Sequence, residues 1–394
     1  MIIKDKRIVL GVAGAISAYK ALELVRLLVK AEALVWPVMT RSAGEFITPL
    51  SLSTLAKNPV CTSLFEQGSG SSIGHIELAQ KSDLIIVAPA TANVIGKIAS
   101  GIADDPLTTI IMAAACPVLI APSMNDRMWE NPIVKGNVEK LISIGYKFVG
   151  PGEGALACGS VGRGRLAGAD EIVEAAREAM TQKDLKGEKA LVTAGPTREA
   201  IDPVRFVSNA SSGRMGYALA RAAKRRGAEV VLISGPTYLP MPAGITYVPV
   251  ATAEEMNEAG LRYFPQSTLV IMAAAISDYR PKKSYSQKVK KDASTLNVEL
   301  ERTQDVLKQM GGKKKNQFLV GFALETENLE ENARKKLKDK NLDMVVANGP
   351  AGLAGATNEV LIINREGALE HVPFLDKDEI ADRILDRVVR LKSR

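Results

Sequence analysis

KALVTAGPTREAIDPVRFVSNASSGRMG, Lys189 to Gly216, is the stretch that decides the fold. Residues 190–194 form a short apolar run ending at Gly195-Pro196, the mark of a buried strand leaving through a tight turn. A loop follows, and Ser211-Ser212-Gly213 then opens ALARAAKRRG (218–227), whose apolar residues recur at helical spacing and stop at Gly227. Residues 229–234 read as a second strand. The same strand, turn, helix and strand stand at Arg7–Thr40. The chain therefore starts one architecture twice, and the expected fold is α/β, with two tandem Rossmann-like three-layer domains.

Composition narrows the class. The 394 residues suffice for two or three domains, and 46% hydrophobic with 24% charged residues is ordinary for a globular protein. No run approaches the roughly 20 apolar residues of a membrane span. The N-terminus enters a strand without a signal-peptide pattern. Cys61, Cys116 and Cys158 are scattered and odd in number, which points to a reducing, cytoplasmic setting. A net charge of +7 suits small polyanionic substrates, whereas the few aromatics do not interleave with the basic runs as a nucleic-acid surface would require. The expectation is small-molecule substrates, with neither nucleic acid nor membrane as partner.

Taken in order, the first half places small and hydroxyl residues at strand ends, where open α/β sheets bind ligands. The turn Gly11–Ser17 matches neither GxGxxG nor a Walker loop. It suits either a phosphate at a helix N-terminus or a compact turn with Ser17 as cap. Thr40-Arg41-Ser42 ends the second strand, and Pro89–Asn93 follows the strand 83–88. Asp104-Asp105 are either metal ligands or caps of the helix starting at Pro106. Pro122–Trp129 reads as a lid loop or a site, and His75 as a cap or a base. Five glycines among residues 152–165 make a mobile flap around Cys158, whose thiol is either activated by Arg163 and Arg165 or inert.

Five motifs carry a resemblance over residues 5–175: GAIS ending at Ser17, PATAN ending at Asn93, KIASGIADD ending at Asp105, PSMNDRMW ending at Trp129 and LACG ending at Gly159. Together they resemble the flavin-dependent cysteine decarboxylases, specifically the phosphopantothenoylcysteine decarboxylase domain. The resemblance implies a flavodoxin-like flavoprotein domain holding FMN with Gly14, Ser17, Ser42, Ala90, Thr91, Asn93 and Ser123. It implies His75 as base, Asn125 as substrate anchor, Cys158 as proton donor, and Met124 and Arg127 on the substrate. Loss of CO₂ from a cysteine carboxylate needs an electron sink, which a flavin provides. The family's Met-x-Glu after the flap is Leu166-Ala167-Gly168 here, so no role is assigned at Gly168.

In the second half, Lys183–Glu188 is charged and reads as a linker between domains 1–182 and 189–394. Ser211, Ser212 and Gly213 at a helix start suit a polyphosphate, and no P-loop motif occurs. The strand at 269–274 leads to Asp278, and Lys282–Lys291 carries five lysines, either a solvated face or a charged arm. The motifs AGPTRE (194–199), SNASSGRMG (208–216), SDYRP (277–281), KVKK (288–291) and GFALET (321–326) resemble phosphopantothenate–cysteine ligase over residues 186–392. That implies a nucleotide-binding ligase domain using CTP, 4′-phosphopantothenate and L-cysteine. Asn209 and Lys288 are implied to act on an acyl-cytidylate, with Ser211, Ser212, Gly213, Ala275, Asp278, Lys290, Phe322, Lys336 and Lys340 around the nucleotide. Mg²⁺ is implied on Asp278. Two departures stand out: Ser277 replaces a frequent alanine, and Gly349 follows Asn348 where an aspartate is usual.

The implied whole is a bifunctional enzyme making 4′-phosphopantetheine, a homo-oligomer built from trimers of one half and dimers of the other into a dodecamer. Its rivals are weaker. A flavin–dinucleotide oxidoreductase lacks the GxGxxG fingerprint, and a non-enzymatic flavoprotein has no use for His75, Asn125 and Cys158 together.

Overall fold

The computed structural model describes residues 2–64, 74–155, 159, 161–290, 296–350, 355 and 357–393. Two compact units result, Met1–Thr181 and Gln182–Arg394.

In the first unit, five parallel strands lie in the order Leu34–Met39, Arg7–Val12, Leu84–Ala90, Val118–Pro122, Lys147–Phe148. Numbered along the chain this is 2-1-3-4-5, the flavodoxin-like winding. Side chains alternate across the sheet. Ile8, Leu10 and Val12 meet Ala21, Leu24, Val25 and Leu28, one stripe of helix Lys20–Lys30. Val9, Ile85 and Val87 meet Val94, Ile95 and Ile98 of helix Ala92–Ser100 on the other face. Both faces are covered, which is why these strands read as unbroken apolar runs. The glycine-rich segment, expected as a mobile flap, pairs Gly152–Ala155 with Val161–Arg165 as an antiparallel hairpin.

The second unit has an eight-stranded sheet whose strands begin, in spatial order, at Thr246, Glu229, Lys189, Leu269, Phe318, Met344, Thr357 and Leu369. The first six are parallel and the last two form an antiparallel edge. Helices Arg214–Arg225 and Lys377–Lys392 cover one face through Tyr217, Leu219, Ile380 and Ile384. Met256, Met310 and Ala333 cover the other. Two short ribbons, Arg198–Ala200 with Phe206–Ser208 and Tyr279–Pro281 with Leu300–Arg302, lie outside the sheet.

The charged stretch Lys183–Glu188, read as a linker, is packed onto this second unit. Leu185 is buried and donates its N–H to the Arg226 carbonyl at 3.0 Å. Asp184 and Asp386 both pair with the Arg226 guanidinium, at 2.6 and 2.8 Å. Charge at these positions serves an ion-pair cluster over a single apolar anchor, rather than solvation of a free linker.

Ser277 gives a first prediction. It is 3% exposed, and its Oγ has no hydrogen-bond partner among the described residues. A buried hydroxyl without a partner carries its desolvation cost uncompensated, about 1–3 kcal/mol. Ser277→Ala is expected to stabilise the second unit by about 1 kcal/mol, raising its Tm by roughly 2–4 °C in calorimetry. A lowered Tm would mean that the hydroxyl is bonded in solution.

Candidate active sites

The first unit carries a cavity of about 910 Å³ at the carboxyl ends of its strands. Gly14, Ser17, Ser42, Thr91, Asn93, Ser123, Met124 and Asn125 all line it. Ser17 does not cap a helix. It lies in a 3₁₀ turn, Ile16–Tyr19, and its Oγ meets Ser123 Oγ at 2.7 Å, so two buried hydroxyls from different strand ends face the same space. Gly14 is obligatory there, because a Cβ would come within 2.4 Å of Ser42 Cβ and 2.8 Å of the Ser42 carbonyl oxygen. Thr91 caps the next helix, its Oγ1 accepting from Val94 N at 3.3 Å.

Several expectations for this cavity are corrected or bounded. Ala90 is core rather than wall; its carbonyl accepts from Ser123 N at 2.9 Å and so fixes Ser123. The lid around Asn125 is a short helix, Asp126–Glu130, with Asn125 Oδ1 accepting from Arg127 N at 2.9 Å. Arg127 itself is exposed and is not among the cavity residues. Asp105 is a helix cap, accepting from Thr108 N at 2.9 Å, while Asp104 pairs with Lys97 at 2.7 Å. His75 heads helix His75–Lys81, but its side chain and all of Cys158 lie outside the described residues.

The second unit has a cavity of about 470 Å³. Asn209, Ser211, Ser212, Gly213, Ala275, Asp278, Phe322, Lys336 and Lys340 line it together. Gly213 has φ +74° and begins helix Arg214–Arg225, so the backbone turns into the helix where a side chain would be strained. Asn209 Nδ2 donates to the carbonyls of Ala275 and Ile276, at 3.3 and 3.0 Å. This ties the loop before the helix to the end of the central strand. Lys288 and Lys290 do not line the cavity; they are exposed on the segment that follows the Tyr279–Pro281 strand.

Opposite charges crowd this cavity, with Asp278 and Asp305 beside Lys336 and Lys340. Burial, then the neighbouring Lys340, push the Lys336 ammonium below the ordinary lysine range against the pull of Glu325, Asp305 and Asp278. Burial raises the Asp305 carboxyl, but the Lys340 side chain and the Lys308 N–H outweigh it and hold the group low. Sequence reasoning missed Asp305, Asn358 and Lys377 on the cavity wall. Asp305 and Lys377 sit at the starts of two helices, Asp305 as a cap accepting from Lys308 N at 2.9 Å, which in sequence looks like ordinary capping. Lys377 is buried, and that burial, followed by Arg214, lowers its pKa. Among the described residues no cluster of three or more His, Cys, Asp or Glu is arranged to hold a metal, and no helix is long and apolar enough to cross a membrane.

Residues 2–181 match the Flavoprotein family, and residues 185–391 match the family described as DNA/pantothenate metabolism flavoprotein C-terminal domain. The coenzyme A biosynthesis bifunctional protein CoaBC of Bacillus subtilis is 47% identical over 400 residues, spanning 100% of this chain and 98% of its own. This chain belongs to the CoaBC family. It is a flavoprotein enzyme of coenzyme A biosynthesis with a decarboxylase half and a ligase half. The relative from Vibrio cholerae is 43% identical over 96% of this chain and 97% of its own. Among solved structures, a C-terminal domain of CoaBC is 44% identical over 54% of this chain and 99% of its own, with TM-score 0.48. A PPC decarboxylase complexed with pantothenoylaminoethenethiol is 33% identical over 44% of this chain and 97% of its own, with TM-score 0.41.

Proposed function

We propose that the second half joins 4′-phosphopantothenate to L-cysteine using CTP, and that the first half decarboxylates the product with FMN. One observation carries the ligase part: nine residues expected at the ligase site, from four separate stretches of the chain (209–213, 275–278, 322 and 336–340), line one cavity.

In the ligase half, the substrate carboxylate is a poor electrophile and must be activated. Its oxygen attacks the α-phosphate of CTP, pyrophosphate leaves, and the cysteine amine then opens the mixed anhydride with loss of CMP. The N–H groups that open the helix Arg214–Arg225 face the polyphosphate. Lys336 and Lys340 neutralise charge in the first step, and Asn209 and Lys288 stabilise the oxyanion of the second. Mg²⁺ travels with phosphates and needs few protein ligands, so Asp278, exposed on the cavity wall, is the carboxylate assigned to it.

In the decarboxylase half, the residues fit an FMN phosphate and ring: a buried hydroxyl pair at Ser17 and Ser123, a Gly14 backbone with no side chain in the way, and short side chains at Thr91, Ala92 and Asn93. Bound FMN supplies the two-electron sink without which a cysteine carboxylate does not lose CO₂. His75 takes the substrate thiol proton at its imidazole nitrogen, Asn125 holds the substrate carboxylate, and Cys158 Sγ returns a proton to carbon. The product of one half is the substrate of the other, which accounts for their fusion. We assign the whole to a homo-oligomer of decarboxylase trimers and ligase dimers.

The test is direct. Purified protein given CTP and 4′-phosphopantothenate is expected to release pyrophosphate, and added cysteine to release CO₂ and yield 4′-phosphopantetheine. Equal turnover with ATP would remove the CTP assignment. Pyrophosphate release unaffected by chelation of divalent cations would remove Mg²⁺.

A further inference from the structure

Two helices of the ligase half open at the same cavity. Arg214 starts the helix Arg214–Arg225, Lys377 starts the helix Lys377–Lys392, and both residues line the wall. The helices are joined side by side by Arg221–Asp378 at 2.8 Å, Arg225–Asp382 at 3.3 Å and Arg226–Asp386 at 2.8 Å. Partners advance together along both helices, so the two run in the same direction. Asp378 is the second residue of its helix and Arg221 the eighth, which sets the second helix roughly 9 Å behind the first. Helix side chains lean toward the N-terminus, and the long stem of Lys377 covers ground in that direction.

The arrangement is electrostatically unfavourable by itself. Parallel helices set their positive ends together, and each carries a cation at its first position, where the dipole favours an acid. Lys377 is only 6% exposed, and both its burial and the like charge of Arg214 disfavour the ammonium form. The acids on either side of it are turned to other partners: Asp376 Oδ1 accepts from Glu379 N at 2.9 Å as the helix cap, and Asp378 reaches Arg221. For burial alone, an apolar residue of similar volume is often as stable or more so. A bound anion is what makes a lysine useful at this place, because it answers the lysine, Arg214 and both helix ends together.

The cavity thus has two basic poles. Asp278 and Asp305, the carboxylates of the wall among the described residues, bear on Lys336, which stands beside Lys340. Lys377 stands instead with Arg214 and the helix ends. We propose that Lys377 is a further substrate-contacting residue of the ligase reaction: its ammonium holds the β- and γ-phosphates of the nucleotide and takes up the charge that grows on the leaving pyrophosphate. This role rests on the ligase reading above. In that step the substrate carboxylate oxygen bonds to the α-phosphorus, the bond from that phosphorus to the bridging oxygen breaks, and its electron pair leaves with pyrophosphate. Lys377 keeps its proton throughout and donates to phosphate oxygens.

The role is tested with Lys377→Gln and Lys377→Met in the full-length protein, because CMP lacks the two phosphates that Lys377 is assigned to hold. In titration calorimetry both variants are expected to bind CTP roughly 10- to 100-fold more weakly, the effect of losing a hydrogen bond to a charged group. Both should bind CMP as the wild type does, which also reports that the site is still folded. Pyrophosphate release with 4′-phosphopantothenate at subsaturating CTP should fall by a similar factor. Wild-type CTP affinity and pyrophosphate release in either variant would overturn the proposal. So would an equal loss of CTP and CMP affinity, the mark of a structural role. If the wild type itself binds neither nucleotide and releases no pyrophosphate, the ligase reading fails first and this role with it.

Discussion

Asn209→Asp is expected to release one pyrophosphate per site with CTP and 4′-phosphopantothenate, and then to hold the acyl-cytidylate while cysteine clears it about 10²–10³-fold more slowly than in the wild type. In the proposed reaction activation is shared among many charges, since the cation on the triphosphate, Lys336, Lys340 and the helix N-terminus would all act on the polyphosphate. Loss of one polar group is partly absorbed. Opening the anhydride concentrates new charge on a single oxygen, where one donor is worth roughly 3–4 kcal/mol. The local structure adds to the effect. Asn209 Nδ2 donates to the Ala275 and Ile276 carbonyls, and a carboxylate there would set acceptor against acceptor. It would also bring negative charge to the place where the oxyanion forms. Rapid-quench trapping of the intermediate decides the matter. Absence of pyrophosphate despite normal CTP binding would move Asn209 to the activation step.

What could be read from residues alone follows the physics of burial. Parallel strands covered on both faces are continuous apolar runs, so Arg7–Val12 and Glu229–Ser234 are plain in the sequence to the residue. The edge hairpin Thr357–Asn364/Leu369–Asp376 is not, because its second strand is charged and largely exposed, with only Val372 fully buried. Helix Lys377–Lys392 hides its buried Ile380, Ile384 and Val388 among charges. Cavity-lining positions at strand ends were legible as motifs. Asp305 and Lys377 were not, since a polar residue opening a helix has a sufficient local reason to be there. Leu185 misled in the opposite direction: one apolar residue among charges gives no period, yet it anchors the stretch to the second unit.

In the decarboxylase half, His75→Asn is expected to lower the rate of CO₂ release from phosphopantothenoylcysteine by about 10²–10⁴-fold, the usual contribution of a positioned general base. Flavin content should be unchanged, because the groups assigned to FMN are Gly14, Ser17, Ser42 and Ser123 on the strand-end turns of the cavity. The chain has two histidines, and the other, His371, is paired with Glu359 at 2.8 Å on the edge hairpin of the second unit. His75 is therefore the imidazole available within the first unit. Asparagine matches the size and polarity of the ring but takes no proton, so the variant should keep its flavin and lose the rate. Wild-type CO₂ release by His75→Asn would remove it from the reaction.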